Sequence, residues 1–342
     1  MRSFFSSKAS KESARTPLEQ SPKMPINRAL SVVSEGTGLP YPTSIPISST
    51  SPATALLQSG LSIGACSRVG YSGGPKVNQD AHWELPVWMN DPDQHFFGVA
   101  DGHGVNGHHV SDLIRRRLGT ILGKEPTLRS NTSLAFEAAY SKANSEITSS
   151  AFDVAFSGST CVSVLLQGKK ILCANVGDSR AILGRESGGI WEGIPLSRDH
   201  KPDLPMEQAR IVSKKGRVEP YKLPSGESIG PHRVWVKNQE FPGLGMSRAM
   251  GDSVAATVGV IAEPEVQSHD LLPDHKFLVI ASDGVWEFMS NDEVSKLVGS
   301  FASSRDAVKA ATALVSEAQD RWRANEDIID DTTAVVVFLP KI

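Results

Sequence analysis

The sequence predicts an α+β fold in which antiparallel strands and pairs of helices form separate layers. The apolar run Cys161 to Gln167 is followed by a Gly-Lys turn and a second run, Ile171 to Val176, which is the pattern of an antiparallel hairpin. Helical periodicity comes in pairs, the first over Gly107 to Leu122 and Leu134 to Ile147. Strands joined by short turns argue against a doubly wound parallel sheet.

The other elements follow from similar patterns. Short apolar runs predict further strands at 96–100, 181–184, 277–281 and 333–339. Helical spacing predicts helices at 204–215, at 290–301 behind a capping box that begins at Ser290, and at 306–322. The stretch 216–243 contains four prolines, and we expect it to be irregular.

Carboxylates recur where the apolar runs end. Asp101, Asp178 and Asp283 each follow such a run, and Asp330 and Asp331 directly precede the last one. An Asp-Gly pair after a strand is usually a turn without further function. Here four carboxylate sites at strand ends can converge, and His103 lies beside the first.

Carboxylates without a Cys/His ligand set favour Mg²⁺ or Mn²⁺ over zinc. Two such ions bridged by one carboxylate lower the pKa of a bound water and orient a phosphoryl group for in-line attack. The pattern therefore predicts hydrolysis of a phosphate ester.

Composition limits the partners and the compartment. A chain of 342 residues suits one large or two modest domains, and its net charge of -3 favours no polyanionic partner, so we expect no nucleic acid. Three cysteines without a CxxC pair argue against disulfides and against zinc. We find no apolar run of membrane-spanning length and expect no membrane contact. We predict a monomer in the cytoplasm, the nucleus or both.

Residues 1–58 are rich in Ser and Pro and show no helical or strand periodicity. We predict that they form a disordered tail, followed by a catalytic domain over 59–342. The Ser-Pro and Thr-Pro pairs of the tail leave two interpretations open, a regulatory phosphorylated segment and an inert extension.

Nine motifs occur in order along the chain: VNQDAHW, FFGVADGHGVNGHH, SGSTCVSVLL, ILCANVGDSRAIL, LSRDHKPDLPMEQARI, PGLGMSRAMGD, EPEV, VIASDGVWEFM and DDTTAVVVFL. Similar motifs occur in the same order in the metal-dependent protein serine/threonine phosphatases of type 2C, the PPM family. The chain resembles this family from about Leu61 to Leu339.

The resemblance implies a type 2C phosphatase-like β-sandwich, in which two packed antiparallel β-sheets are flanked by pairs of helices. The metals would lie in a cleft at one end, under a flap at about 203–245. It further implies hydrolysis of phosphoserine and phosphothreonine in phosphoprotein substrates. A metal-activated water would attack phosphorus in line, with two Mg²⁺ or Mn²⁺ ions bound and His103 as general acid.

The resemblance also assigns metal ligands. Asp101 would bridge the two ions, Asp283 and Asp330 would complete the first site, and Asp80, the carbonyl of Gly102 and Gln79 would form the second. Asp330 is preferred over Asp331 because the family ligand is the first residue of this pair. Asp178 and Glu287 match a third, weaker site.

Two positions depart from the family pattern. Gln79 stands where an acidic residue is usual, and an amide is a weaker ligand than a carboxylate. Lys76 lies near the position of an Arg that clamps the substrate phosphate, and Lys offers a point charge instead of a bidentate contact.

Five further residues are interpreted as structural. Arg248 and Asp252 would form a buried pair that braces a loop. His108, His109 and His200 are interpreted as structural histidines.

Two alternative functions remain open. A pseudophosphatase would keep the fold and bind phosphoproteins without turnover, which Gln79 and the missing Arg favour. The second alternative is a metal-dependent phosphatase of small phosphate esters or nucleotides. The chain lacks the GxxxxGK[ST] loop that cradles nucleotide phosphates, which weakens it.

Overall fold

The computed structural model describes residues 59–340. The predicted tail at 1–58 lies outside the described residues, so both its disorder and the boundary at residue 59 remain predictions. Within 59–340, no helix combines the length and the apolar character that a membrane span requires.

The described chain forms fifteen strands and seven α-helices. The strands are β1 Ser62–Arg68, β2 Asp80–Leu85, β3 Gln94–His103, β4 Gly158–Ser159, β5 Cys161–Gln167, β6 Lys170–Val176, β7 Arg180–Ser187, β8 Ile190–Pro195, β9 Gly216–Lys222, β10 Ser228–Val236, β11 Pro242–Leu244, β12 Met250–Gly251, β13 Glu265–Asp270, β14 His275–Ala281 and β15 Thr332–Phe338. The α-helices are α1 Gly107–Gly123, α2 Thr132–Thr148, α3 Pro205–Ser213, α4 Ser253–Ala256, α5 Asp283–Trp286, α6 Asn291–Gly299 and α7 Ala307–Asn325.

Two large antiparallel sheets form the body of the domain. One has the strand order β1-β15-β14-β7-β8, and the other has the order β12-β4-β3-β5-β6-β13, with β2 also paired to β3. Apolar residues of β3, β5 and β6 meet those of β7, β14 and β15 in one buried cluster between the sheets. Helices α1 and α2 pack on the outer face of the second sheet, and α6 and α7 pack on the first. This confirms the predicted sandwich.

Alternation along each strand decides which layer a side chain joins. In β3, Phe97 and Val99 face the opposite sheet, whereas Phe96 and Ala100 face helices α1 and α2. All four side chains are fully buried. Because both faces of the strand are covered, its sequence is a continuous apolar run rather than an alternating one.

The expectation that strand β3 ends at the Asp101-Gly102 pair is wrong. The strand continues to His103, because Gly102 and His103 pair with β4. Asp101 therefore lies inside a ladder, directly opposite Asp80 of β2. This register brings two carboxylates from different parts of the chain side by side.

The expectation of irregular structure at 216–243 is also wrong, because β9, β10 and β11 form a separate three-stranded sheet there. Pro224 lies in the turn between β9 and β10, and the other three prolines occupy positions that a sheet tolerates. Pro220 lies in the edge strand β9, Pro231 lies where the register of β10 shifts, and Pro242 begins β11. This small sheet lies within the predicted flap, and its role as a flap stays a prediction.

Candidate active site

Five buried or partly buried carboxylates gather where strands of both large sheets begin or end. They are Asp80 at the start of β2, Asp101 in β3, Asp178 in the turn after β6, Asp283 at the start of α5 and Asp330 before β15. Burial raises the pKa of Asp101 well above its usual value, and the negative charges of the other four carboxylates raise it further. The predicted convergence of carboxylates therefore occurs.

The pKa values of two further carboxyls are raised for the same reason. Burial raises the pKa of Asp80 to about 7, although Thr333 and Ser282 counteract this by hydrogen bonding. Burial also raises the pKa of Asp283 well above its usual value, with added repulsion from Asp178 and Asp330. Buried carboxyls that repel one another have a strong demand for positive charge.

The unpartnered oxygens of this cluster fit a divalent cation. Oδ1 of Asp80, Oδ1 of Asp178 and Oδ1 of Asp283 are buried and have no hydrogen-bond partner. Buried polar atoms are normally satisfied, so each of these oxygens needs an explanation. Hard oxygen donors are the ligands that Mg²⁺ and Mn²⁺ prefer. Within 59–340 no group of three or more His, Cys, Asp or Glu side chains has the arrangement of a ready-made metal site.

The Asp330-Asp331 pair divides into two roles. Both carboxylate oxygens of Asp331 accept backbone N–H groups, from Gly70 at 2.7 Å and from Gln79 at 2.9 Å. Asp331 therefore holds the segments around Gly70 and Gln79 in place through these hydrogen bonds. The side chain of Asp330 is 47% exposed, and its Oδ1 accepts from Lys76. This arrangement fits the assignment of Asp330 as the metal ligand.

Two lysines neutralise part of the cluster. Lys76 Nζ lies 2.9 Å from Asp330 Oδ1, and Lys201 Nζ lies 2.5 Å from Asp178 Oδ2. Burial would lower the pKa of each ammonium, but the carboxylates raise both above the usual value. Sequence reasoning missed Lys201, although it directly follows His200 in the motif LSRDHKPDL. Lys76, the predicted phosphate ligand, is thus within reach of the cluster.

The loop around Gln79 is tightly held. Its side-chain amide donates to the carbonyl of Gly104 at 2.7 Å, and its own carbonyl accepts from the amide of Gly102 at 3.1 Å. A Cβ at Gly102 would lie 2.4 Å from the carbonyl oxygen of Gly107, so only glycine fits there. Gln79 and Gly102 therefore lie together beside Asp101, as a second metal site would require.

The two residues of the predicted third metal site lie in different surroundings. Asp178 is buried within the cluster. Glu287 is exposed at the end of α5, where its backbone N–H donates to the carbonyl of Asp283 at 2.9 Å. The structure therefore brings Asp178, but not Glu287, among the buried carboxylates.

His103 is held by a buried carboxylate. Its Nε2 lies 2.7 Å from Oδ2 of Asp252, and its Nδ1 is buried without a partner. Burial would lower the pKa of His103, but the charge and hydrogen bond of Asp252 outweigh it, so the pKa is raised.

The predicted pair between Arg248 and Asp252 is wrong. The backbone N–H of Asp252 donates to the carbonyl of Ser157 at 2.9 Å, which fastens Asp252 next to His103. Arg248 instead binds Glu207 at 2.7 Å. Sequence reasoning therefore missed Asp252 as the partner of His103, because the two residues are 149 positions apart.

The other histidines have structural contacts. The ring of His200 is fully buried, its Nδ1 accepts the backbone N–H of Gly177, and burial lowers its pKa to about 4. The rings of His108 and His109 lie 3.9 Å apart. These contacts fit the structural roles that the sequence predicts.

Comparisons with known proteins agree on one family. A family model described as protein phosphatase 2C matches residues 72–327. Probable protein phosphatase 2C 35 of Arabidopsis thaliana is 37% identical over 281 residues, covering 78% of this chain and 80% of that protein. Probable protein phosphatase 2C 72 of the same plant is 39% identical over 280 residues, covering 78% of this chain and 83% of that protein.

A solved structure supports the fold. The crystal structure of serine-threonine phosphatase 2C from Toxoplasma gondii superposes with a TM-score of 0.71. It is 23% identical and covers 82% of this chain and 95% of its own.

Proposed function

The chain belongs to the protein phosphatase 2C family of serine/threonine phosphatases, and on this premise we propose that it hydrolyses phosphoserine and phosphothreonine in phosphoproteins with two Mg²⁺ or Mn²⁺ ions. One observation carries the metal requirement. Several carboxylates are buried together with raised pKa values and with oxygens that have no partner. Such a cluster is costly to the fold unless cations occupy it.

In this proposal Asp101 would serve as a ligand for both ions. Asp283 and Asp330 would hold one ion with it, while Asp80, the carbonyl of Gly102 and Gln79 would help to hold the other. When bound, the ions would activate a water molecule and neutralise the charge of the phosphoryl group. The Oδ1 atoms of Asp80 and Asp283 support these two assignments. Each is a buried carboxylate oxygen that accepts no hydrogen bond from the protein and is therefore available to a cation.

We assign the proton for the leaving group to His103. Expelling a serine or threonine alkoxide requires a proton in the transition state, and histidine is the usual donor near neutral pH. Asp252 acts as a positioning residue, because it binds Nε2 and leaves Nδ1 as the nitrogen without a partner. The carboxylate also favours the protonated imidazole, as the raised pKa of His103 indicates.

Lys76 is the proposed phosphate contact. Its ammonium now neutralises Asp330 and lies 3.3 Å from Asp331. A cation bound by Asp330 would take over that neutralisation and leave Lys76 able to bind a phosphate oxygen. A lysine forms this contact as a point charge, so we expect weaker clamping than an arginine would provide.

The test is turnover of a phosphothreonine peptide by metal-stripped protein with Mn²⁺, with Mg²⁺, with Zn²⁺ and with chelator. We expect activity with Mn²⁺ or Mg²⁺ only, and none in Asp101→Asn. Asp112→Asn is the matched control, because Asp112 is an exposed carboxylate that binds Arg115 and Arg116 on α1. Full turnover in chelator would overturn the metal requirement, and peptide binding without turnover under all conditions would favour the pseudophosphatase.

A further inference from the structure

Three apolar side chains lie on chain segments close to His103 and define what we call the apolar rim: Val105, Phe156 and Phe241. Val105 is 86% exposed and Phe156 is 52% exposed, which is unusual for side chains of this type. Phe241 is partly buried at the start of the turn into β11. Exposed apolar groups that adjoin one another mark surfaces that bind a partner.

Backbone contacts hold the first two members of the apolar rim together. A Cβ at Gly104 would lie 2.1 Å from the carbonyl oxygen of Phe156, so the two segments are in direct contact. The backbone N–H of Asn106 donates to Oγ of Ser157 at 3.0 Å, and its side chain donates to the carbonyl of Asp153 at 2.8 Å. Val105 lies between these two contacts, so its backbone runs next to the segment that carries Phe156.

The third member joins the rim to the small sheet. The rings of Phe156 and Phe241 meet edge to face, with centroids 5.8 Å apart. The geometry is favourable for an aromatic pair. It connects the segment before β4 to the sheet formed by β9, β10 and β11.

The distance from His103 determines which part of a substrate the apolar rim can contact. Val105 is two residues beyond His103, so their Cα atoms are at most about 7 Å apart. A substrate residue one or two positions from the phosphorylated residue covers a similar distance. The rim is thus within reach of the side chains that flank the scissile phosphate.

We propose that the apolar rim binds an apolar side chain next to the phosphoserine or phosphothreonine of a protein substrate. The inference rests on the proposed function, since the substrate must be a phosphoprotein held at His103. A carboxylate close to the rim fits this choice of side chain. Asp153 is exposed and would repel an acidic neighbour, whereas the exposed Glu240 lies 3.5 Å from a guanidinium nitrogen of Arg217.

The experiment compares two phosphothreonine peptides that differ only in the residues flanking the phosphothreonine, Leu in one and Ser in the other. The wild-type chain should turn over the Leu peptide with a kcat/KM about fivefold higher, because a half-exposed apolar contact contributes at the low end of the usual range. Val105→Thr combined with Phe156→Ala should remove this preference. Turnover of p-nitrophenyl phosphate, which has no flanking residues, should change by less than about twofold.

Ile190→Thr is the matched control. Ile190 is 72% exposed at the turn between β7 and β8, and its substitution should leave the preference intact. Val105→Thr alone keeps the test valid if the double variant folds poorly, because this change nearly preserves volume at an exposed position.

The outcomes separate the inference from the proposed function. Loss of the Leu preference in the rim variants alone supports the inference. Equal turnover of both peptides by the wild-type chain would overturn the inference and leave the proposed function standing. No turnover of either peptide would overturn the proposed function, and the inference with it.

Discussion

Carboxylates are buried at two places in this domain, at Glu207 and in the cluster around Asp101, and their pKa values shift in opposite directions. Glu207 of α3 is 2% exposed and accepts hydrogen bonds from Arg210, Arg248 and Ser247 at 2.6–2.7 Å. Burial would raise the pKa of Glu207, but these donors hold it well below its usual value. In the carboxylate cluster at Asp101, by contrast, burial and mutual repulsion raise the pKa values.

The contrast distinguishes a carboxylate that stabilises the fold from carboxylates that are available to bind a ligand. The charge of Glu207 is matched by two guanidinium groups, so it holds α3 to the loop before β12 and needs nothing from outside the protein. The charges at Asp101 exceed those of Lys76 and Lys201, and several oxygens remain without partners. A site that lowers stability in this way is a candidate for function, because perturbed pKa values concentrate at functional sites.

The largest effect is expected where the cluster loses its central charge. Asp101→Asn should reduce turnover of a phosphothreonine peptide by about a thousandfold, as expected when a main electrostatic contribution is removed. The melting temperature in chelator should stay level or rise, because a source of repulsion is lost. Steady-state kinetics and a thermal melt measure the two effects. A variant with normal turnover would place the bridging role elsewhere.

The second effect concerns His103 and depends on the leaving group. His103→Ala should lose about 10²–10⁴-fold in kcat on a phosphoserine peptide, and far less on p-nitrophenyl phosphate, whose leaving group needs no proton. The ratio between the substrates cancels any general loss of folded enzyme. Measurement at saturating Mn²⁺ keeps metal affinity out of the comparison. Equal losses on both substrates would remove the general-acid role.

Substitution of Glu207, whose carboxylate is fully hydrogen-bonded, should lower stability and leave turnover unchanged. Glu207→Gln leaves two buried or partly buried arginines without their carboxylate and should lower the free energy of unfolding by about 3 kcal/mol. Turnover per folded molecule should stay within about twofold of the wild-type value. Chemical denaturation, and steady-state kinetics normalised to the folded fraction, check this pair of expectations. A stable variant with lost metal affinity would show that the two sites are not separate.

The smallest effect is a pH dependence of stability in chelator. The pKa of Asp80 is about 7 in the folded protein, and it is about 3.9 in an unfolded chain. Between these values the folded state keeps a proton that the unfolded state releases. The stability contribution is therefore complete below about pH 4 and is lost as the pH rises to about 7.

We expect Asp80 alone to lower the free energy of unfolding in chelator by about 2.5 kcal/mol between pH 5 and pH 8. Asp80→Asn should reduce this slope, and the residual slope comes from Asp101, Asp283 and His103, whose raised pKa values act in the same direction. Saturating Mn²⁺ should flatten the slope. A rise of stability over this range in chelator would contradict the raised pKa of Asp80.

The sequence predicts the layers of this fold well, for a physical reason. Helices such as α1 and α2 are long and periodic, and strands such as β5 are bounded by turn residues, so local pattern alone defines them. The errors occur where long-range pairing decides the outcome. Strand β3 continues through Asp101 because β4 pairs with its end, and β9 tolerates Pro220 because it is an edge strand.

The candidate site divides in the same way. Asp101, Asp178, Asp283 and Asp330 are detectable because each lies next to an end of an apolar run in the sequence. Asp252 and Lys201 are not, because their partners are determined by tertiary contacts: Asp252 binds His103 from 149 residues away. Lys201 reaches Asp178 from the far side of a hairpin, and no local spacing indicates that contact.

The most direct test of the account is a calorimetric titration of Mn²⁺ into metal-stripped protein, for the wild-type chain, Asp283→Asn and Glu207→Gln. The wild-type chain and Glu207→Gln should bind Mn²⁺ with the same stoichiometry and with affinities within about threefold of each other. Asp283→Asn should bind fewer ions or bind them at least about tenfold more weakly, since a carboxylate ligand becomes an amide. Wild-type binding of Mn²⁺ that Asp283→Asn leaves unchanged would contradict the assignment of the cluster as the metal centre.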